Sequence, residues 1–312
     1  MHKRLMMPMA ILLTLSLLVL ISFPVWGNSQ DNLFPITLVD VLNTEVTLLQ
    51  KPERIISIAP HTTEIIFALG LENKLVGRSE FCNYPLEAEN IENIGLMSPL
   101  NLEKIISLKP DLVLAYGGYQ AKEIPRLREL GFKVLVTEPT SLYEMLATIE
   151  LISTACGEPK KGRELIANLQ ERINLITSLN TAITETDRLK VFTGSNYETI
   201  WSPGKGTIFD ELITLAGGQN IVANLEGWVP VSAELVAQAE PDIIIISSGI
   251  MNPEETDKMK QDVIDHPGWS QIPAIRNNQI FTVNEDLFYR EGPRLVDGLE
   301  LLYEIFTQVR EK

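Results

Sequence analysis

Two stretches of this chain follow one local plan, and that repetition limits what the chain can become. Residues 101–118 and 232–249 each open on a helix-capping residue, Asn101 or Ser232, with a glutamate shortly after it, Glu103 or Glu234. A short apolar-periodic helix follows in both and ends at Pro-Asp, Pro110-Asp111 in one and Pro241-Asp242 in the other. Proline cannot continue a helix and aspartate favours a turn, so each helix must stop there. The runs of Leu, Ile and Val that come next, closed by glycine, read as strands buried on both faces of a parallel sheet. One such unit per half predicts an α/β protein of two similar Rossmann-like lobes with a cleft between them.

The rest of the sequence fits around these units. At 312 residues the chain can supply two modest cores. Residues 1–27 are a different material: His2, Lys3 and Arg4 are polar, Leu5 to Ile21 is nearly all apolar, and Val25 and Gly27 suit a cleavage point. That is the pattern of a secretory signal peptide. An uncleaved anchor is the other reading, because the apolar run sits at the short end of the spanning range. No cysteine stands near its end, so lipoprotein processing is not expected. The protein is expected to act outside the cytoplasm, in a periplasm or on the outer cell surface.

Residues 28–52 form an extension with a hairpin about Asn43-Thr44. The first lobe spans 53–141, with strands at 54–59, 75–77 and 133–136 and helices at 65–69 and 122–130. Residues 142–188 hold the connecting helices, 142–155 and 160–179; the second is long and apolar on one face, and reads as a rigid connector rather than a linker. The second lobe spans 189–312, with strands at 189–193, 221–222 and 279–283 and helices at 208–215 and 294–310. Export permits a disulfide, and Cys82 and Cys156 both fall in the first half, where a bridge would staple one lobe. Two unpaired small side chains is the plainer reading.

A net charge of −15 argues against a nucleic-acid partner, which would require a basic face. No Gly-x-Gly-x-x-Gly, P-loop, Gly-x-Ser-x-Gly or paired-histidine motif is present, so neither an enzyme nor a resident cofactor or metal is expected. His61 stands at a strand-to-helix switch, where α/β proteins place ligands; it is either an exposed turn histidine or part of a site. Aromatic residues gather in loops after strands: Phe81, Tyr84, Tyr116, Tyr119, Tyr197, Trp201, Trp228, Phe288 and Tyr289. Such residues lining a cleft suit a large, flat, partly apolar ligand. Arg290 and Arg294 flank Gly292-Pro293 and can meet a carboxylate or phosphate, unless Arg294 merely starts a surface helix. Glu103 and Glu234 gain from the helix dipole alone, yet their equal register in both halves suits a docking role.

Here the residues bring a family into view. The chain resembles the class III solute-binding proteins of ABC importers, which take up vitamin B12, ferric siderophores or haem. The likeness runs from about Lys51 onward and rests on Ile58 to Glu64, Asn101 to Glu103, Lys109 to Asp111, Val231 to Glu234 and Gly292 to Arg294. It implies two lobes joined by one long helix, a monomer with its ligand held between the lobes. It also implies that Glu103 and Glu234 pair with arginines on a permease dimer driven by an ATPase.

Within that class the vitamin B12 binders are most similar. Their Tyr-Pro loop resembles Phe81 to Pro85, and their tryptophans fall at Tyr116, at Trp228 and at Met97, where this chain departs. Their Asp-x-Phe-x-Arg run resembles Asp286 to Arg290, while two second-lobe cysteines of that group are absent here. The implied ligand is therefore cobalamin, contacted by His61, Phe81, Tyr84, Met97, Tyr116, Tyr119, Trp201, Trp228, Asp286, Phe288 and Arg290. His61 and Cys82 would also suit iron or haem, which keeps a ferric-siderophore or haem binder open. A two-lobed enzyme such as a glycosyltransferase is the rival from another class, disfavoured by the export segment and the lack of paired acid–base groups.

Overall fold

The computed structural model describes residues 33–194, 200–248 and 256–311; the export segment and Tyr197 lie outside them. The described chain begins with a hairpin of β1 (Ile36–Val39) and β2 (Glu45–Leu48), paired antiparallel. Asp40 makes its turn, accepting the Leu42 and Thr44 amides at 3.0 Å each and pairing with Arg128. The Val41 amide donates to the Val136 carbonyl at 3.3 Å, so the hairpin covers an edge of the neighbouring sheet.

That sheet belongs to the first lobe. Its elements are β3 (Ile55–Ser57), α1 (Pro60–Ala68), β4 (Leu75–Arg78), α2 (Leu102–Leu108), β5 (Leu112–Tyr116), α3 (Gly117–Gln120), α4 (Ile124–Glu129) and β6 (Val134–Thr137). The strands lie parallel in the order β4-β3-β5-β6. Two helices, α5 (Leu142–Ala155) and α6 (Pro159–Leu179), then lead to the second lobe.

The second lobe runs β7 (Leu189–Thr193), β8 (Ile200–Pro203), α7 (Ile208–Leu215), β9 (Gly218–Asn220), β10 (Trp228–Val231), α8 (Ala233–Ala239) and β11 (Ile243–Ser248). It ends with α9 (Thr256–Ile264), α10 (Pro273–Arg276), β12 (Ile280–Asn284), α11 (Asp286–Tyr289) and α12 (Leu295–Arg310). Its sheet is parallel in the order β12-β11-β7-β9, and β8 with β10 forms a separate antiparallel ribbon.

The repeated sequence unit is repeated in space. Lys109 and Glu240, each just before Pro-Asp, end α2 and α8 in the left-handed region at φ 47° and 50°. Asp111 accepts the Glu53 and Arg54 amides at 2.9 and 3.0 Å, and Asp242 accepts the Lys190 amide at 2.8 Å. A basic residue of the neighbouring strand entry then caps each helix: Arg54 donates to the Leu108 carbonyl at 2.6 Å, Lys190 to that of Ala239 at 3.1 Å. The carboxylate after the proline thus pins the new strand to the one beside it, while the base satisfies carbonyls the helix end leaves open.

Burial along the central strands has a period of two. Leu112 and Leu114 pack with Ile65, Ile66 and Ile149, whereas Val113 and Ala115 pack with Ile105 and Leu127. In the second lobe Ile243 and Ile245 pack with Leu212 and Leu299, and Ile244 and Ile246 with Val236 and Trp269. Both sheet faces are covered, as parallel strands require. One face of each sheet contributes to the same contiguous apolar cluster, which includes residues of α5, α6 and α12. The lobes therefore share core as well as chain.

Helix α6 has 21 residues, about 31 Å at 1.5 Å per residue. Leu169, Ile173 and Ile176 form its buried stripe, and Arg172 donates to Glu300 at 2.7 Å and to Asp297 at 2.6 Å on α12. It contains one glycine near its start. A Cβ at Gly162 would lie 1.9 Å from the Ser153 hydroxyl of α5, so this glycine is a notch for close helix packing and not a hinge.

Several sequence expectations shift. The strand expected at 221–222 forms at β9 instead, because the Val191 strand pairs with Asn220. The helix expected at 122–130 is trimmed to α4, which carries a proline at its start. Gly117–Gln120, read as loop, makes the single turn α3. Cys82 and Cys156 are both buried and free.

Candidate functional site

A cleft of about 950 Å³ lies between the lobes, at the upper end of the usual range for small-molecule sites. Its first-lobe wall comes from segments that follow strands: Pro60 and His61 after β3, Phe81 after β4, Tyr116 and Tyr119 at the end of β5, and Thr140 after β6. The second-lobe wall comes from the start of α7, from Trp228 at the start of β10, and from residues 285–291 after β12. Carboxyl ends of parallel strands are where open α/β sheets place ligands.

Of the residues singled out from sequence, His61, Phe81, Met97, Tyr116, Tyr119, Trp228, Asp286, Phe288 and Arg290 line this cleft. Tyr84 and Trp201 do not. Tyr84 lies under Arg294, whose guanidinium carbon sits 3.7 Å from the ring centre. Trp201 pairs with Pro230 in the β8–β10 ribbon and Trp228 with Pro203, so the two share a face two residues apart, and only Trp228 reaches the lining. Cys82 is wholly buried, with its sulfur 3.2 Å from the Ser79 hydroxyl, and is absent from the lining. Among the described residues no cluster of three His, Cys, Asp or Glu is placed to hold a metal ion.

The aromatic groups are presented in pairs. Tyr116 and Tyr119 lie 5.7 Å apart at 32°, and Trp228 and Tyr289 lie 5.5 Å apart at 52°. Tyr119 and Trp228 are exposed, so their faces are open to a ligand. Phe288 is different: it stacks on Phe209 at 4.6 Å and is buried in the core, making floor rather than wall. His61 is buried, not the exposed turn residue that was one reading. Its Nε2 is 2.8 Å from the Thr137 hydroxyl and its ring meets Tyr116 edge-on at 5.4 Å. Burial pushes the imidazole down to about 3, so it is neutral.

Charge is distributed with a marked asymmetry. Among the described residues Arg290 is the only Arg or Lys in the lining; its Nε meets Asp286 at 2.7 Å and its Nη1 donates to Asn83 at 2.7 Å, with Glu64 at 3.9 Å. Arg294, which was open to a surface reading, is buried and donates to both oxygens of Glu64, at 3.0 and 2.6 Å. Burial raises the Glu64 carboxyl, and the two bonds from Arg294 and the nearby Arg290 oppose that shift. Glu64 and Asn83 belong to the first lobe, Asp286, Arg290 and Arg294 to the second. These groups form a buried polar latch across the base of the cleft.

Glu291 was not singled out from sequence, where it is one acid in an acidic chain. It accepts a hydrogen bond from the Tyr116 hydroxyl at 3.4 Å and lies 3.9 Å from His61 Nδ1. Burial pushes its carboxyl up to about 7, with Glu138 and Glu64 adding to the shift. Glu103 and Glu234 are exposed in the first turns of α2 and α8 and are outside the lining. Asn101 and Ser232 cap those helices by accepting the Lys104 and Leu235 amides at 3.1 Å each.

Comparison with known proteins adds a family to this geometry. Residues 55–287 match the family described as periplasmic binding protein. The chain is 34% identical over 283 residues to the uncharacterized ABC transporter substrate-binding lipoprotein YvrC of Bacillus subtilis, covering 89% of this chain and 87% of that one. It superimposes on the periplasmic vitamin B12 binding protein BtuF of Vibrio cholerae with a TM-score of 0.71 and 29% identity, covering 84% of this chain and 99% of the other. It is also similar to the periplasmic heme-binding protein RhuT of Roseiflexus sp. RS-1, with a TM-score of 0.73 and 27% identity over 82% of this chain and 98% of that one.

Proposed function

The chain belongs to the periplasmic binding protein family, and from that premise we propose that it captures a corrinoid, cobalamin, between its lobes and hands it to a permease. The chain is an extracytoplasmic substrate-binding protein of an ABC importer in the class that handles vitamin B12, siderophores and haem, and not an enzyme. Its partners are the importer's permease and ATPase.

One observation carries the choice of ligand. The cleft is broad and aromatic, yet the one arginine lining it among the described residues already gives its Nε to Asp286 and its Nη1 to Asn83. Haem brings propionates and many ferric siderophores bring several negative charges, and both need free cations to replace lost hydration. Cobalamin surrounds a broad apolar macrocycle with neutral amides, which can use carboxylates and phenols as acceptors. Tyr116, Tyr119, Trp228 and Met97 are then the surfaces for the corrin face and edge. A second reading, haem or a ferric siderophore, is favoured by the exposed phenol of Tyr119, an oxygen donor suited to ferric iron.

Delivery needs docking, and here Glu103 and Glu234 are the proposed contacts. They offer one exposed carboxylate per lobe, each at the start of an equivalent helix. Two such charges set orientation and speed encounter with a twofold-symmetric permease more than they add affinity. The test of the ligand is direct: incubate the purified protein with cyanocobalamin, haemin or a ferric siderophore, remove free ligand by gel filtration, and record the spectrum. Retained corrin absorbance is expected. A protein that emerges with haemin or a ferric chelate and no corrin would overturn the assignment.

A further inference from the structure

Asp286 is answered by Arg290 at 2.7 Å and Arg294 at 3.7 Å. Glu291, next in the chain to Arg290, has no arginine or lysine within ion-pair distance among the described residues; its one basic neighbour is His61 at 3.9 Å. His61 is a weak counter-charge, because it is buried, neutral and bonded to Thr137. The other groups around Glu291 do not supply one either. Glu138 after β6 and Glu64 on α1 both add negative potential, and Tyr116 at the end of β5 supplies a neutral donor. Arg290 and Arg294 are turned to Asp286, Glu64 and Asn83. Yet 22% of the Glu291 side chain remains accessible in the cleft. An accessible acceptor with no positive partner of its own is matched by a ligand that brings a donor.

We propose that Glu291 is the residue by which this cleft selects on charge: it accepts an N–H group from the ligand's periphery, such as a primary amide, and turns away chelates that set a carboxylate there. The inference rests on the corrinoid reading and names the residue that enforces it. A carboxyl held at about 7 also gives the selection a sign. An N–H donor prefers the ionised acceptor, so affinity for an amide-bearing ligand rises as pH passes from 6 to 8, by at most about tenfold for one proton. A ligand carboxylate prefers the protonated form and shows the opposite slope.

The probes are cyanocobalamin and its monocarboxylic acids, in which one peripheral amide is hydrolysed with almost no change in size. Calorimetry on the parent protein should show cyanocobalamin bound about tenfold tighter at pH 8 than at pH 6. At pH 8 at least one monocarboxylic isomer should bind tenfold weaker or worse, and Glu291→Gln should flatten the pH profile and close that gap. A flat parent profile with no isomer disfavoured, or a gap that survives Glu291→Gln, overturns the proposal. Should that variant misfold, the parent's profile and isomer series decide alone. If the parent binds no corrin, cationic ferrioxamine B against its anionic N-succinyl derivative repeats the comparison. A gap there that Glu291→Gln closes would sink the corrinoid reading and leave Glu291 standing; no gap overturns Glu291, and retention of haemin overturns both.

Discussion

Removing the carboxylate of Glu64 tests how the two lobes are held. Glu64, Asp286, Arg290 and Arg294 form a set with two negative and two positive groups, all largely buried. Glu64→Ala leaves Arg294 with Asp286 at 3.7 Å and the Tyr84 ring at 3.7 Å as its remaining partners. Breaking a buried pair from one side costs about 3–5 kcal/mol, since the other charge stays in place. The longer ion pair and the cation–π contact return about 1 kcal/mol. A net loss of about 3 kcal/mol is therefore expected, a fall in Tm of roughly 6–12 °C for a chain of this size. Urea and thermal unfolding at pH 7 measure it. The paired change Glu64→Gln with Arg294→Met removes both charges and should recover most of the loss, as a double-mutant cycle would reveal. Because the latch spans the lobes, the single variant should also widen the small-angle scattering radius more than the double variant does. A Glu64→Ala protein within about 0.5 kcal/mol of the parent would refute the argument, as would a double variant no more stable than the single one.

Three further outcomes follow from the same geometry. Trp228→Ala strips an exposed aromatic face from the second-lobe wall and should cost about 1–3 kcal/mol of cobalamin affinity, about fivefold to 150-fold by calorimetry; an unchanged Kd would remove Trp228 from the site. Replacing both Glu103 and Glu234 by alanine should leave ligand affinity and Tm nearly intact while abolishing stimulation of the transporter's ATPase; normal transport would reduce them to helix-dipole residues. Glu291 stands at about 7 in the folded protein against an ordinary 4.5. Below pH 4.5 both states hold the proton, between the two values only the folded state keeps it, and above 7 neither does. Stability of the ligand-free protein should accordingly fall by about 2–3 kcal/mol between pH 4.5 and 7.5 through this group, and urea titrations of Glu291→Gln should show that component gone.

What the sequence disclosed and what it hid have separate physical causes. The Pro-Asp units were legible because each is local: cap, helix, left-handed stop and strand are fixed by residues within one short stretch. The alternating cores of β5 and β11 were legible as unbroken apolar runs. The β8–β10 ribbon was not, since Pro203 and Pro230 cannot donate to a strand ladder, and only the pairing of distant segments makes strands of these residues. The same pairing sets Trp228 two residues along from Trp201 on one face, so only one of them reaches the cleft, a fact of register that composition does not carry. Tyr84 looked like a ligand contact because it is a loop aromatic; its actual partner, Arg294, lies in the other lobe. Glu64 and Glu291 were invisible for the same reason, each taking its meaning from residues far along the chain.

The latch has a consequence for the order in which this protein assembles. The first sheet is complete by Thr137, yet the carboxylate it carries on α1 meets its arginine only across a separation of 230 residues. Chains are made from the amino end, and contacts of such long range close late. Until Arg294 arrives, the Glu64 carboxylate on α1 lacks the guanidinium that meets it in the folded protein, and the core that α12 shares with the first lobe is incomplete. The two lobes are thus separate in topology while sharing one apolar cluster and one buried ion pair. A first lobe cut away at the connector would lack Arg294 opposite Glu64 and the α12 side of the shared core.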